Sequence, residues 1–254
     1  MEDAMKFRHR LAVMLMAGAF AVQISAASAY ARLEERLTAE NGQFIRANGT
    51  AIEGAVAKGV TVSKYQNRAG DIDWSRAAAD GVTFAMVRLG YHNDLDPYFD
   101  ENMQGALAQG IHTGVFLYTQ AMDEETARAE AQFVLEKIKD YPVSYPIAYD
   151  VESQYLLDMG KTPEQLAAQI NAFCQVIADA GYRPIVYGNN EWLTTHIDTS
   201  KVPYDIWYAR YETSVNEYPN RTIWQYTQDG QVDGITGDVC IEVAFTDYSS
   251  IVTD

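Results

Sequence analysis

Apolar and polar positions along the chain follow two periodicities that alternate from Gly59 onward. Short runs rich in β-branched and aromatic residues predict strands, and stretches whose apolar residues recur every three or four positions predict helices. This alternation is typical of βα units around a parallel sheet. Eight strands are predicted, at residues 59–65, 83–91, 111–119, 145–152, 183–189, 204–211, 221–227 and 240–248.

Two long helices are predicted between these strands. One places Ala127, Ala131 and Ile138 on a single face. The other begins with a capping box at Thr162-Pro163-Glu164-Gln165, with proline at its first helical position, and ends at Gly181. Shorter helices are predicted at 74–80 and 99–109.

The spacing between predicted strands shrinks after Tyr187, so the later connections are too short for the helices of a regular eightfold barrel. We therefore predict an α/β protein with an irregular, flattened TIM-like β/α barrel. It should have about eight strands and fewer helices than a full (β/α)8 barrel.

The first 31 residues have the pattern of a secretory signal peptide. Three basic residues precede an apolar run from Leu11 to Ile24, and small residues around Ala29 and Ala31 offer cleavage sites. A retained membrane anchor is disfavoured because the run is shorter than the roughly 20 apolar residues that span a bilayer. The mature protein is expected to be extracellular, either secreted or associated with the cell wall.

Residues 32–58 combine mixed charge with several Gly and Asn residues and have no sustained periodicity. We predict a lead-in segment there, partly disordered, before one folded domain at residues 59–254. No internal repeat or second domain is recognised.

The composition argues against several classes of partner and cofactor. The chain has 19 basic and 35 acidic residues, a net charge of −16, whereas nucleic acids and anionic lipids attract clustered Lys and Arg. We expect no nucleic acid partner, no membrane association after cleavage of the signal peptide, and a monomer. No metal or cofactor is predicted, because His92, His112 and His196 lack ligand spacing and no phosphate-binding glycine motif is present.

Two cysteines, Cys174 and Cys240, are too few for a disulfide framework. Cys174 lies on the apolar face of the second long helix, as a small buried hydrophobe would. A single bridge between the two stays open.

Two carboxylates stand at the end of the apolar run "YPIAYDVES". In a strand, Asp150 and Glu152 project to the same face, and in a parallel barrel the carboxyl ends of strands line the active site. Two acids in a desolvated cleft cannot ionise equally, so one keeps its proton while the other stays charged. Cleavage of a glycosidic bond requires that division of roles. A bare D-x-E more often represents solvated acids or a Ca²⁺ site, and the buried strand before this pair favours the catalytic interpretation.

Eight short motifs occur in order between about Gly59 and Ile251. They are "VSKYQ" (62–66), "DIDW" (71–74), "VRLGY" (87–91), "DVE" (150–152), "GYRPIVYGN" (181–189), "WYARY" (207–211), "WQY" (224–226) and "VDGITGDV" (232–239). In these motifs the chain resembles the glycoside hydrolase family 25 lysozymes, the N-acetylmuramidases of bacteria and phages.

The resemblance implies a β/α barrel that cleaves the β-1,4 bond between N-acetylmuramic acid and N-acetylglucosamine in peptidoglycan, without metal or cofactor. By position, Glu152 would be the general acid. Asp150 would remain an anion that polarises the acetamido group of the substrate or stabilises the cationic intermediate.

The sequence departs from the family pattern at two further acids. Thr61 stands where the first strand usually carries Asp, and Cys240 stands where the last strand usually does. These changes remove two negative charges that would stabilise an oxocarbenium-like transition state. Because Glu242 lies two residues past Cys240, on the same strand face, we hypothesise that it restores part of that field.

Aromatic and polar residues near the strand ends are candidate contacts for sugar, because flat apolar faces stack on sugar rings. Packing inside the barrel is the alternative for each, and the family motifs favour sugar contact for Tyr118, Tyr187 and Trp207 more than for Trp224. Arg88 is costly to bury alone and is expected to pair with or orient an inward acid. The predicted substrate-binding residues are Arg88, Tyr118, Tyr187, Trp207, Tyr211, Trp224, Gln225 and Glu242.

Three functions fit these residues to different degrees. A secreted muramidase is favoured because the acid and its anionic neighbour are both present. A non-catalytic peptidoglycan-binding protein is the main alternative, given Thr61 and Cys240. Chitinase-type hydrolysis is disfavoured because it uses D-x-D-x-E, and Ala148 occupies the first of those positions.

Overall fold

Strands of a closed barrel form the centre of the protein, whose computed structural model describes residues 36–211, 218 and 220–249. The predicted signal peptide lies outside the described residues. Eight strands make the barrel: β4 (Ala57–Val62), β5 (Phe84–Tyr91), β7 (His112–Tyr118), β8 (Ile147–Asp150), β9 (Pro184–Asn189), β10 (Asp205–Ala209), β11 (Arg221–Gly230) and β12 (Val239–Ala244). Two-residue β6 (Asp94–Leu95) extends the sheet beside β5. All eight predicted strands are confirmed, with the first beginning at Ala57 rather than Gly59.

Helices connect the first half of the barrel and become short in the second half. They are α1 (Lys64–Ala69), α2 (Trp74–Ala79), α3 (Phe99–Ala108), α4 (Glu124–Ile138), α5 (Gln154–Asp158) and α6 (Pro163–Asp179). Between β9 and β10 only a π-helical turn (Trp192–His196) and a 3-10 turn (Thr199–Lys201) occur. The predicted irregular barrel with few helices is therefore confirmed.

The last strand corrects the expectation of a parallel sheet. Seven barrel strands, β4, β5 and β7 to β11, pair in parallel around the barrel. The eighth, β12, pairs antiparallel with both β11 and β4. Eight residues separate β11 from β12, which is too short for a crossover, so the chain turns back as a hairpin. The mouth of the barrel, at the carboxyl ends of the parallel strands, therefore lies near the amino end of β12.

Alternate residues of the strands fill the barrel. The interior cluster includes Phe84, Met86, Ala148, Trp207 and Ile223, all of them buried. Gly59 completes this packing, because a Cβ there would lie 2.2 Å from the ring of Phe84. Since side chains alternate, the next inward positions of the same strands face the mouth. Those positions are Thr61, Arg88, Tyr118, Asp150, Tyr187 and Gln225.

Much of the predicted lead-in segment is a small antiparallel sheet, which corrects the expectation of partial disorder for the described part. It consists of β1 (Leu37–Glu40), β2 (Gln43–Arg46) and β3 (Ala51–Ile52). Leu37 and Ile52 are buried and join the hydrophobic core outside the barrel. The alternation was missed because these strands have only two to four residues.

Both cysteines are free, so the bridge left open by the sequence is absent. No helix in the described part of the chain is long and apolar enough to cross a bilayer.

A buried cation joins the small sheet to the barrel. The ammonium group of Lys58, at the start of β4, donates to the carbonyl oxygen of Leu37 at 2.9 Å, to that of Asp80 at 2.8 Å and to the Asp80 carboxylate at 3.1 Å. Burial lowers the pKa of Lys58, and the neighbouring Asp80 carboxylate opposes that shift.

We expect Lys58→Met to destabilise the protein by about 2–4 kcal/mol, because it leaves two carbonyl groups and a carboxylate without their donor. The free energy of unfolding in urea measures the effect. Lys137→Met, at a partly exposed lysine on α4 that pairs with Glu136, is the matched control and should change stability by less than about 0.5 kcal/mol. Equal losses in the two variants would contradict an anchoring role for Lys58.

Candidate active site

The carboxyl pair predicted from sequence lies at the mouth of the barrel. Strand β8 ends at Asp150, so Glu152 belongs to the segment that follows it and reaches towards the end of β9. The backbone N–H of Glu152 donates to Asp150 Oδ1 at 3.0 Å. The backbone N–H of Asn189 donates to the Glu152 carboxylate, and the Tyr118 hydroxyl donates to the Glu152 carbonyl oxygen at 2.9 Å. Both acids are thus held in place from neighbouring strands.

Burial alters the proton affinity of the two acids to different extents. It raises the pKa of Asp150 to about 8, helped by the negative charge of Glu152 and opposed by the Glu152 N–H and the charge of Arg88. Burial also raises the pKa of Glu152, and hydrogen bonds from Asn189 oppose that shift. With only 8% of its surface exposed, Asp150 is shifted towards its neutral form in the ligand-free protein, whereas the sequence led us to expect a permanent anion.

An open cavity of about 470 Å³ lies at the ends of β5 and β7, beside α1 and β6, and Asp150 and Glu152 are not among its lining residues. Arg88 and Tyr118 both line it and both act on the pair, Arg88 through its charge on Asp150. Tyr118 stacks on Tyr91, and Tyr65 is 61% exposed on the same wall. The cavity thus presents aromatic faces next to the carboxyl groups, as a sugar site does.

The predicted substrate-binding residues separate into two layers. Arg88, Tyr118 and Tyr187 are half-buried at the mouth, and Tyr211 is 45% exposed. The other four are covered by neighbouring side chains in this structure, and their contact with sugar stays a prediction. These four are Trp207, Trp224, Gln225 and Glu242.

Each covered residue has an identifiable structural role. Trp207 packs inside the barrel with its ring edge-on to Tyr187. Trp224 faces outward from β11, and its indole N–H donates to the carbonyl oxygen of Arg210 at 3.0 Å. Gln225 and Glu242 lie beneath the mouth and are hydrogen-bonded to each other at 2.9 Å.

The two departures from the family pattern face each other across the barrel seam. Thr61 and Cys240 are register partners in β4 and β12, and neither carries a carboxyl group. Burial raises the pKa of Glu242 to about 8, and hydrogen bonds from Thr61 and Gln225 oppose that shift. Burial thus disfavours the charge by which Glu242 was hypothesised to restore a negative field.

Sequence reasoning missed several residues at the site. Asn189 holds the Glu152 carboxylate, and Tyr65 and Tyr91 line the cavity. A signal existed for Asn189, which ends the quoted motif "GYRPIVYGN" at the carboxyl end of a predicted strand. Tyr65 and Tyr91 carried the same kind of signal, because they lie in the motifs "VSKYQ" and "VRLGY" at the carboxyl ends of predicted strands, although Tyr65 lies on α1 in the structure.

Within the described ranges, no group of three or more His, Cys, Asp or Glu side chains is placed to hold a metal ion.

The family model for glycosyl hydrolases family 25 matches residues 60–235. An uncharacterized Escherichia coli protein, YegX, is 27% identical over 194 residues, covering 73% of this chain and 68% of the relative. Lysozyme M1 of Streptomyces globisporus is 26% identical over 222 residues, covering 82% of this chain and 73% of the relative.

Among solved structures, the modular autolysin LytC of Streptococcus pneumoniae, in complex with a synthetic peptidoglycan ligand, superposes with a TM-score of 0.66 at 26% identity. The match covers 82% of this chain and spans 57% of the autolysin chain.

We expect Asp150→Asn to stabilise the protein progressively as the pH rises. The pKa of Asp150 is about 8 in the folded protein against a reference value of 3.8, so between these values the folded state binds one more proton than the unfolded state. The stability that the neutral carboxyl group of Asp150 contributes is fully present below about pH 4 and is lost as the pH rises through about 8. The variant has no such loss.

Urea unfolding at pH 5 and pH 8 measures the effect. The stability of Asp150→Asn relative to wild type should increase by more than about 1 kcal/mol between the two pH values. Asp140→Asn, at an exposed carboxyl group after α4, is the control and should follow wild type. A difference independent of pH would mean that Asp150 is ionised in the folded protein.

Proposed function

The chain belongs to glycosyl hydrolase family 25, and from this premise we propose that it is a lysozyme that hydrolyses the β-1,4 bond between N-acetylmuramic acid and N-acetylglucosamine in peptidoglycan. The observation that carries the proposal is a half-buried Glu152 with a raised pKa, held beside Asp150 and joined through Tyr118 to an open cavity. Similarity to Lysozyme M1 and to an autolysin solved with a peptidoglycan ligand supports the substrate class.

Glu152 is the proposed general acid. Its raised pKa keeps a larger fraction protonated near neutral pH, and the N–H of Asn189 directs its carboxyl group. The proton passes to the glycosidic oxygen as the bond to the anomeric carbon breaks, and the leaving sugar departs as an alcohol. Water then adds to the anomeric carbon, and its proton returns to the Glu152 carboxylate.

Asp150 is proposed to stabilise the positive charge that develops during this step. Its pKa is about 8 without ligand, yet a cationic sugar centre or a polarised acetamido group nearby favours the charged form. The two carboxyl groups titrate as a coupled pair, so substrate binding can favour release of the Asp150 proton to solvent while Glu152 keeps its own. The Arg88 charge favours the same ionised form of Asp150.

The aromatic wall beside the pair is the proposed glycan groove. Tyr118 and Tyr91 stack on each other, and Tyr65 and Tyr211 expose ring surface on either side of the mouth. Rings of this kind pack against the apolar faces of sugars, while the hydroxyl groups take part in hydrogen bonds.

A non-catalytic peptidoglycan-binding protein is the second candidate. The observation in its favour is the uncharged pair Thr61 and Cys240 at the barrel seam, since the transition state then receives less negative charge from that side. Release of new reducing ends from purified cell walls separates the two candidates. A wild-type protein that sediments with walls but releases none would favour the second.

Action on the cell wall requires the protein to reach it, and we propose that the predicted signal peptide exports it. We also propose that the mature domain acts as a monomer. The acidic composition, with a net charge of −16, supports the proposal that neither nucleic acid nor an anionic membrane is its partner.

We expect Glu152→Gln to lose about 10²–10⁴-fold in the rate of wall hydrolysis while binding to walls is retained, because the amide keeps the shape but has no proton to transfer. Reducing-end release and co-sedimentation measure the two properties. Glu136→Gln, at an exposed position of α4, is the control and should match wild type. Substantial turnover in Glu152→Gln would assign the acid to another residue.

We expect Asn189→Ala to shift the alkaline limb of the activity profile to higher pH. The side chain of Asn189 lowers the pKa of Glu152 by hydrogen bonding to its carboxylate, so its removal raises that pKa and extends the protonated form upward. The pH dependence of kcat/KM reports this pKa. Asn171→Ala on α6 is the control, and an unshifted or acid-shifted limb in Asn189→Ala would contradict the role of Glu152 as the acid.

A further inference from the structure

Gln225 joins three other side chains beneath the mouth of the barrel, those of Glu242, Tyr187 and Tyr211. The amide nitrogen of Gln225 donates to Glu242 Oε1 at 2.9 Å. On the opposite side, the Gln225 amide oxygen accepts from the hydroxyl of Tyr187 at 3.1 Å and from that of Tyr211 at 2.6 Å. Gln225 is 2% exposed, so it links a buried acid to two tyrosines of the mouth.

The Glu242 carboxyl group determines which way the Gln225 amide points. Glu242 Oε1 accepts from Gln225 and also from the Thr61 hydroxyl at 2.5 Å. Glu242 Oε2 has no hydrogen-bond partner among the described residues. Oε1 therefore remains an acceptor when the group is ionised and also when a proton is carried on Oε2. In this arrangement the amide nitrogen of Gln225 faces Glu242, and the amide oxygen faces the tyrosines.

This orientation restricts what the two tyrosines can offer a ligand. Each phenol has one hydroxyl proton, and Tyr187 and Tyr211 both commit theirs to Gln225. Only their oxygen lone pairs remain for a molecule in the groove. The wall formed by Tyr187 and Tyr211 is therefore an acceptor of hydrogen bonds.

We propose that Glu242 is a positioning residue which, through Gln225, commits the hydroxyl protons of Tyr187 and Tyr211 and so makes this wall selective for N–H and O–H donors of an N-acetylated sugar. The proposal rests on the proposed function and adds a residue that never touches the substrate. In this proposal Glu242 acts through its acceptor oxygen and not through its charge.

The matched pair Glu242→Gln and Glu242→Leu separates these two roles. Gln retains an acceptor oxygen for Thr61 and Gln225 but carries no charge, whereas Leu removes both. We expect Glu242→Gln to keep kcat/KM on peptidoglycan within about threefold of wild type and Glu242→Leu to lose about 10–100-fold. Gln169→Leu, which replaces a buried amide on α6 far from the mouth, is the control and should keep full activity.

A double-mutant cycle with Tyr211→Phe tests whether Glu242 acts through the tyrosine. Tyr211→Phe removes one acceptor and should lower kcat/KM by about 5–10-fold in wild type, but by less than about twofold in the Glu242→Leu background. Gln225→Leu, which removes the link itself, can take the place of Glu242→Leu in the cycle if that variant does not fold. Additive effects, or a Glu242→Gln variant as impaired as Glu242→Leu, would overturn the proposal.

Solvent exchange of the Gln225 side-chain amide protons, followed by NMR, tests the network without any assay of activity. Exchange should be slow in wild type and in Glu242→Gln and markedly faster in Glu242→Leu. Equal exchange rates in all three would overturn the proposal. If wild type shows slow exchange but releases no reducing ends from walls, the proposed function fails while the positioning network stands.

Discussion

The desolvation of carboxyl groups at the mouth of the barrel is the constraint on which the rest of the site depends. Asp150 and Glu242 have raised pKa values of about 8 because few water molecules can reach them. Removing a charge from water is costly unless it is paired, so such acids keep their protons or acquire donors. The mouth shows both solutions, with an Asp150 whose neutral form is favoured and a Glu152 held by the N–H of Asn189.

A third buried acid shows how donors can hold a carboxylate in the same region. Glu130 of α4 is fully buried and accepts from the hydroxyls of Tyr149 and Thr119 at 2.6 and 2.5 Å, while His92 Nδ1 lies 2.6 Å from its other oxygen. These contacts join the ends of β5, β7 and β8, the strand that carries Asp150. Because Tyr149 precedes Asp150, they stabilise the backbone that positions the carboxyl pair. Structural acids and the proposed catalytic acids thus differ in the number of donors that reach them.

Closure of the barrel decides the environment of the remaining residues. The antiparallel β12 fills the seam and brings Cys240 next to Thr61 and Glu242 beneath them. Glu242 points inward on the same strand face as Cys240, as the spacing of two predicted, but it lies deeper because β12 runs away from the mouth. A residue expected to contribute negative charge to the active site is therefore a buried hydrogen-bond acceptor.

The sequence by itself determined the eight strands, the long helices, the irregular barrel and the pair Asp150 and Glu152, because periodicity and strand-end position are local properties of the chain. It did not determine the antiparallel seam, the strands of residues 37–52 or the burial of Trp207, Trp224, Gln225 and Glu242. Burial depends on which side chains from distant segments cover a residue, and proton affinity follows from that burial. Only the tertiary structure could therefore decide how strongly burial raises the pKa of each acid and which aromatic rings are exposed at the mouth.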